Sequence, residues 1–417
     1  MLNLVGFVHR QALAEIIARW MVDEPHPGDV RLLKRIVNFN SYIARVWVHH
    51  LGHMLLSTMH GQEPELRILH SKGELKDFVV EHPTYTTPRI EKMRAKYRRF
   101  PEDYYRETPI DGGYYVLNPG GEERFVGGMR IKRFRRIADK GSRRIIDFML
   151  NRIRQNADAL ADERAQRLGI STRELYTPPE EMAEEFAHAE RRFIKSIKRK
   201  TIQSELPMLD IPDVVGLKLI VENNEYKRLL TIINSDPRCR LEEVEEHTGL
   251  YNAVNMKVRF QLPKELLLEL PPMGKDLQVL ASRGFDVETV HAEYVQFIKE
   301  AEDDVMVEII ASSFEEYMES EIGRCMHEER VLDQRSTKAY SGNLATNVRY
   351  LMGYILGLCR ASAQEIDEIP IKLWVKYMPD TIENVMRGLA LSNERFFDSS
   401  PSHKAIPLGR LELAACN

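Results

Sequence analysis

The sequence predicts a mixed α/β (α+β) fold: one mixed central sheet flanked by helices, with helical extensions at its N- and C-terminal ends. Two observations carry that prediction. Between residues 213 and 335, short apolar runs alternate with segments of helical period, in the order VVGLKLIV, EYKRLLTIIN, NAVNMKVRFQL, VMVEII and SSFEEYMESEIGRCMHEERVL; such alternation belongs to layered α/β folds. On both sides of this stretch the helical period dominates. At 417 residues and about 150 residues per domain, two or three domains are expected. We divide them as a helical region with a turn-rich segment over 1–128, an α/β domain with its leading helices over 129–335, and a helical appendage with a tail over 336–417.

Taken in order, HRQALAEIIARWMV reads as a helix, EPHPGD breaks it, and an amphipathic stretch from Val30 to about Met59 follows. From Gly61 to Gly128 the period fails and turn formers gather, with Gly-Gly pairs at 112, 120 and 127; YYVL and ERFV flank the second pair like a small hairpin. No G-K-[ST] follows these pairs, so they are read as turns rather than as a phosphate loop. Helical period resumes near Ile131, and a second helix starts at Pro179, with proline suited to its first turn. Beyond LPKELLLEL, itself a helical insertion, and past Asp333, three further helices are expected: NLATNVRYLMGYILGLCRA, IKLWVKYM and TIENVMRGLALSN.

Hydrophobic residues at 43% and charged ones at 29% exclude a disordered chain. The net charge of -4 hides basic segments at Arg130–Arg154 and Arg191–Lys200. Cys239, Cys325, Cys359 and Cys416 form no C-x-x-C pair, as suits a reducing compartment. The start MLNLVGFVHRQ has no signal-peptide pattern, and the best apolar run, Tyr350 to Cys359, is too short to span a bilayer. A cytoplasmic protein with no membrane partner is expected.

The chemistry-bearing residues lie in the α/β stretch. Asp213 precedes an apolar strand and Glu308 sits inside one, where an ionised carboxylate is costly unless it faces a metal, a partner or water. Two acids on one sheet suit a shared magnesium ion in phosphoryl-type transfer; the alternative is an acid paired with Lys or Arg. Arg192, Ser196 and Lys200 recur every four residues along one side of a helix, as a rail for a polyphosphate or as a solvated basic face. Tyr251, Asn255, Lys257 and Arg259 share one strand face while Val254, Met256, Val258 and Phe260 share the other. MRIKRFRR with Lys140, Arg143 and Arg144 suits RNA phosphates or an acidic neighbouring surface. His49, His50, His53 and His60 cluster on one helix, which is given a structural role.

In this order, SIKRK at 196–200, DVVGLKLIV at 213–221, GLYNAVNMKV at 249–258, VEIIAS at 307–312, and Glu321 with His327 in SEIGRCMHEE resemble the motifs of the RelA/SpoT synthetase domain, over about residues 185–335. That family moves pyrophosphate from ATP to the 3′-hydroxyl of a guanine nucleotide. The resemblance implies a nucleotidyltransferase-like fold. It implies that Arg192, Ser196, Lys200 and Lys218 hold ATP phosphates, that Asp213 and Glu308 bind Mg2+ and act in catalysis, and that Tyr251 and Asn255 meet the acceptor base. Lys218, Asn255, Ile310 and Ser312 replace the family's Arg, His, Gln and Arg. RLEEVEEHTG, read as an acidic loop over 240–248, stands where the family has a basic one. The implied partners are ATP and a guanine nucleotide, with self-association allowed for. The alternatives are a nucleotide-binding sensor that has lost catalysis, or pyrophosphate transfer to tRNA.

Overall fold

The computed structural model describes residues 1–201, 208–222, 224–249, 252–336 and 342–389. Strand β1 (Leu2–Asn3) and helices α1 (Arg10–Met21) and α2 (Asp29–His60) come first. They are followed by β2 (Glu65–Ser71), α3 (Lys72–Glu81), α4 (Pro88–Arg99), β3 (Pro109–Leu117) and β4 (Arg124–Ile131). Helices α5 (Phe134–Leu168) and α6 (Pro179–Lys198) form an antiparallel pair, joined near its tip by Arg164 to Glu181 at 2.8 Å. Next come β5 (Leu209–Asp210), β6 (Val215–Ile220), α7 (Tyr226–Ser235), β7 (Cys239–His247), β8 (Ala253–Gln261), α8 (Lys264–Glu269), α9 (Lys275–Ser282), α10 (Val290–Lys299) and β9 (Asp304–Ser312). The chain continues through α11 (Phe314–Met318), a π-helical turn at Glu319–Gly323, α12 (Met326–Ser336), α13 (Asn343–Leu358) and α14 (Pro379–Gly388).

The mixed α/β fold is present. Among the described residues seven strands form one sheet in the order β2-β3-β4-β6-β9-β8-β7, with β6 and β9 parallel and the other neighbours antiparallel. β1 pairs separately with β5 and ties the first residues to the approach to β6.

The turn-rich segment contributes more than turns. The boundary expected at 128/129 falls inside β4, which pairs directly with β6, so three strands from before residue 132 continue the sheet of the α/β domain. The hairpin around 118–121 forms as expected, with Gly120 and Gly121 at φ 68° and 94° in its turn. Gly112, Gly113, Gly127 and Gly128, by contrast, lie in strands. A Cβ on Gly127 would lie 2.6 Å from the Lys218 carbonyl, so this glycine permits close strand approach rather than a turn.

Three further readings change. RLEEVEEH forms the edge strand β7, not a loop, because Glu243 pairs Lys257 and Glu242 pairs Arg259 on β8. IKLWVKYM is not helical: the Leu373 and Val375 carbonyls accept instead from Asn347 Nδ2, at 2.9 and 2.6 Å. The long helix expected after Glu308 is interrupted by the π-helical turn and by Cys325 at φ 47°. Residues 390–417 and Tyr251 lie outside the described residues. Among the described residues no helix is long and apolar enough to cross a membrane.

Alternation along the strands gives the sheet two unlike faces. On one, Met129, Leu217, Leu219, Val307, Ile309, Met256, Val258 and Phe260 are buried in one core with Trp47, Leu51 and Leu55 of α2, each contributing roughly 1.5–3 kcal/mol. On the other, Tyr114, Phe125 and Ile220 join a second core with Phe78 and Val79 of α3, Ile90 of α4, Phe314 and Tyr317. That cover ends over β6. From there across β9 and β8 the same face is polar, carrying Lys218, Glu308, Asn255, Lys257 and Arg259.

Candidate active site

The two acids singled out in the sequence arrive on the parallel pair β6 and β9. Asp213 stands two residues ahead of β6, and the Val214 carbonyl accepts from the Lys132 amide at 2.8 Å. This bond brings the end of β4 alongside, so that the Lys132 ammonium meets the Asp213 carboxylate at 2.9 Å; Lys140, near the start of α5, bonds the same oxygen. Burial pushes the Asp213 pKa up, but the two ammonium groups outweigh it and hold the carboxyl at about 2. Burial likewise draws the Lys132 pKa down, opposed by Asp213 and also by Glu308.

Glu308 lies in register with Gly216 on one side and Lys257 on the other. Asn255 Nδ2 donates to its Oε1 at 2.9 Å, while Asn255 Oδ1 is buried with no hydrogen-bond partner among the described residues. Arg130 is in register with Gly216 on the far side. With neighbouring strands about 4.8 Å apart, Arg130 and Glu308 stand about 10 Å apart across a residue that has no side chain. Among the described residues, a Cβ built on Gly216 would meet only the Glu308 carbonyl, at 3.4 Å, so no described side chain packs directly on this glycine between cation and acid.

At the covered edge of this face the π-helical turn delivers Glu321, whose side chain is 1% exposed. Lys218 Nζ and Arg130 Nη2 reach its Oε1 at 2.8 and 3.1 Å, and Lys72 Nζ reaches its Oε2 at 2.5 Å. Lys72 and Lys76 also pair with Glu328, at 3.2 and 3.4 Å, and Lys76 donates to the Tyr104 carbonyl at 2.7 Å. Burial pulls the Lys218 pKa down to about 8 against the attraction of Glu321, with Arg130 and Lys72 adding to the fall.

The structure joins Asn255 to Glu308 by a hydrogen bond and places Lys218 on the same face of the sheet, whereas Asp213, three residues ahead of Gly216, meets Lys132 and Lys140. The rail does not join them in any contact the described residues make: Arg192 is exposed, the Ser196 hydroxyl donates to the Phe193 carbonyl at 2.7 Å, and Lys200 leaves the helix at φ 59° and pairs with Glu24 at 2.7 Å. Ile310 follows Glu308 on the polar face and is in register with Lys218; Ser312 ends the strand. Lys72, Arg130 and Lys132 were missed as site residues. The one signal was the alternation of Arg130 and Lys132 in MRIKRFRR, a run assigned instead to RNA or a neighbouring surface. The histidines stay apart from the site: His49 stacks on Tyr115 and His53 pairs with Glu63 at 2.6 Å. Among the described residues no group of three or more His, Cys, Asp or Glu side chains is arranged to hold a metal. Comparison of the chain with protein-family models, with curated proteins and with solved structures gives no match.

Proposed function

We propose that the polar face above Gly216 is a nucleotide-transfer site, at which the protein moves pyrophosphate from ATP to the 3′-hydroxyl of a guanine nucleotide. The observation that carries this reading is the pair Asp213 and Glu308: two carboxylates delivered by neighbouring parallel strands, Asp213 against Lys132 and Lys140 and Glu308 opposite Gly216, on a sheet face that also carries Arg130 and Lys218. Such cations suit a polyphosphate, and a carboxylate in the strand suits the proton of an attacking hydroxyl.

Magnesium fits this pair in one respect, because it is held by one or two protein carboxylates and otherwise by phosphate oxygens and water. Asp213 is ionised at neutral pH, and the protein hydrogen bond to the Glu308 carboxylate, from Asn255, leaves acceptor sites on it. The ion, when bound there, would neutralise charge on the phosphate oxygens. The protein's own groups divide the remaining work. Asn255 orients Glu308, Glu308 accepts the acceptor's proton, and Arg130, Lys132 and Lys218 hold the phosphates. The reading places the protein in the cytoplasm, where both nucleotides are found.

A second reading, a nucleotide-binding sensor without catalysis, is favoured by one observation: two lysines already occupy the Asp213 carboxylate. Transfer to tRNA is supported by the glutamates of β7, which flank Lys257 on the acceptor side and disfavour a free diphosphate. One assay separates the three. Purified protein is incubated with γ-labelled ATP, magnesium, and GDP, GTP or bulk tRNA, and products are resolved by thin-layer chromatography. Label in a nucleotide supports the first reading and label in RNA the third. ATP bound without transfer supports the sensor.

A further inference from the structure

Helix α6 carries charges that the candidate site does not use, and it carries them in order. On one side Ala189, Phe193 and Ile197 are buried in the core that also takes Ile146, Met149 and Ile153 of α5. On the opposite side a stripe at steps of three or four residues runs Glu180, Glu184, His188, Arg191, Lys195, Lys198, all of them exposed. Among the described residues none of the six makes an ion pair, whereas Glu181 and Glu185 on the flank both pair with Arg164; Lys198 lies 5.9 Å from the Trp374 ring. The stripe is therefore acidic over its first half and basic over its second. The helix dipole favours that polarity, but only within the first and last turns, which accounts for Glu180 and Lys198 and not for Glu184, Arg191 and Lys195. Within one chain the order is unfavourable, since Glu180 and Glu184, like Arg191 and Lys195, are like charges four residues apart.

We infer that this face of α6 docks on the same face of α6 in a second copy of the chain, the two helices antiparallel. A stripe that changes sign at its middle is complementary to itself once one copy is turned end for end, and a two-fold axis then uses every residue twice. With the axis between Ala189 and Glu190, Glu184 meets Lys195 of the second copy, His188 meets Arg191 and Glu180 lies by Lys198; parallel copies would set like charges together. The 20 residues of α6 make this contact about 30 Å long. At the hairpin tip Leu168, Tyr176 and Met182 are 61%, 82% and 56% exposed, and the same arrangement lays this apolar tip over the base of the second copy's hairpin. A polyanion such as RNA would suit Arg191 and Lys195 but would be repelled by Glu180 and Glu184 on the same stripe. A second copy satisfies both halves. The inference is independent of the nucleotide-transfer reading.

Sedimentation velocity of the whole protein tests this, over chain concentrations of about 1 to 100 µM and in about 50 and about 500 mM sodium chloride. The wild type is expected to pass from monomer to dimer as concentration rises, and the higher salt to weaken the dimer at least about tenfold. Two double variants each reverse one half of the stripe: Glu180→Lys with Glu184→Lys, and Arg191→Glu with Lys195→Glu. Each is expected to stay monomeric, because its stripe carries one sign throughout, and an equimolar mixture of the two is expected to dimerise again. Glu184→Gln, which removes a charge without reversing it, should weaken the dimer by about threefold or more. Circular dichroism matching the wild type separates loss of the contact from loss of the fold.

A wild type that stays monomeric at the highest concentration in low salt overturns the inference; if it also retains a tRNA transcript that Arg191→Glu with Lys195→Glu does not, the basic half belongs to nucleic acid. A dimer that persists in both double variants overturns it as well and puts the contact elsewhere. So does a mixture of the two that remains monomeric, since charge complementarity is then not what joins the copies.

Discussion

At Asp213, burial and charge pull in opposite directions, and charge wins. The carboxyl titrates at about 2 in the folded protein against 3.8 in its ordinary state, a difference of about 2.5 kcal/mol at about 1.36 kcal/mol per unit. Because the folded pKa is depressed, the contribution is fully present above about pH 4 and is lost as pH falls toward 2. Urea unfolding at pH 7, 4 and 3 should therefore show Asp213→Asn less stable than the wild type by about 2 kcal/mol at neutral pH, the gap closing below pH 4. A gap that persists undiminished at pH 3 would mean that Asp213 contributes through something other than its charge. Glu308 is differently placed, accepting from Asn255 rather than pairing with a lysine among the described residues, so on the proposed function its replacement should act on transfer more than on stability.

The strands and helices around these residues explain which parts of the fold were legible. β6, β8 and β9 stand out in the sequence because Leu217, Val258 and Val307 alternate with polar partners over runs of six to nine residues. The face shared by Asn255, Lys257 and Arg259 follows from the same parity. β3 and β4 are disguised by their glycines, which sit where one strand's backbone crowds the next. Gly127→Ala should cost about 1–3 kcal/mol, since a Cβ 2.6 Å from the Lys218 carbonyl must push β4 off β6. Gly128→Ala should cost less, its Cβ meeting the Gly113 carbonyl at 3.1 Å. Equal losses in urea unfolding would show that strand crowding is not what these glycines relieve. β7 carries its glutamates on an edge, where Glu243 and Glu242 find Lys257 and Arg259 across the strand. Charges there also guard an open strand against pairing with another chain.

Across the whole molecule, the α/β class and the pair Asp213 and Glu308 could be read locally, whereas the surroundings of that pair could not. Lys72, Arg130 and Lys132 enter the site through β2–β4 and α3, far from Asp213 in the chain, and nothing in their own neighbourhoods marks the carboxylates they meet. Arg192, Ser196 and Lys200 show the converse. Their helical spacing was sound for α6 as far as Lys198, but the left-handed turn at Lys200 and its partner Glu24 leave no trace in local periodicity. A site assembled from both halves of one sheet depends on the register of β4 against β6, a long-range property that spacing within a motif does not encode.

The most direct measurement is the rate of label transfer from γ-labelled ATP in the wild type and in Glu308→Gln, with ATP binding measured in parallel. If Glu308 accepts the acceptor's proton, transfer should fall by about 10²–10⁴ while ATP affinity stays within about threefold, because the substitution keeps the shape of the side chain. Transfer at an unchanged rate in Glu308→Gln, or ATP binding with no transfer by the wild type, would contradict the assignment of catalysis to this face of the sheet.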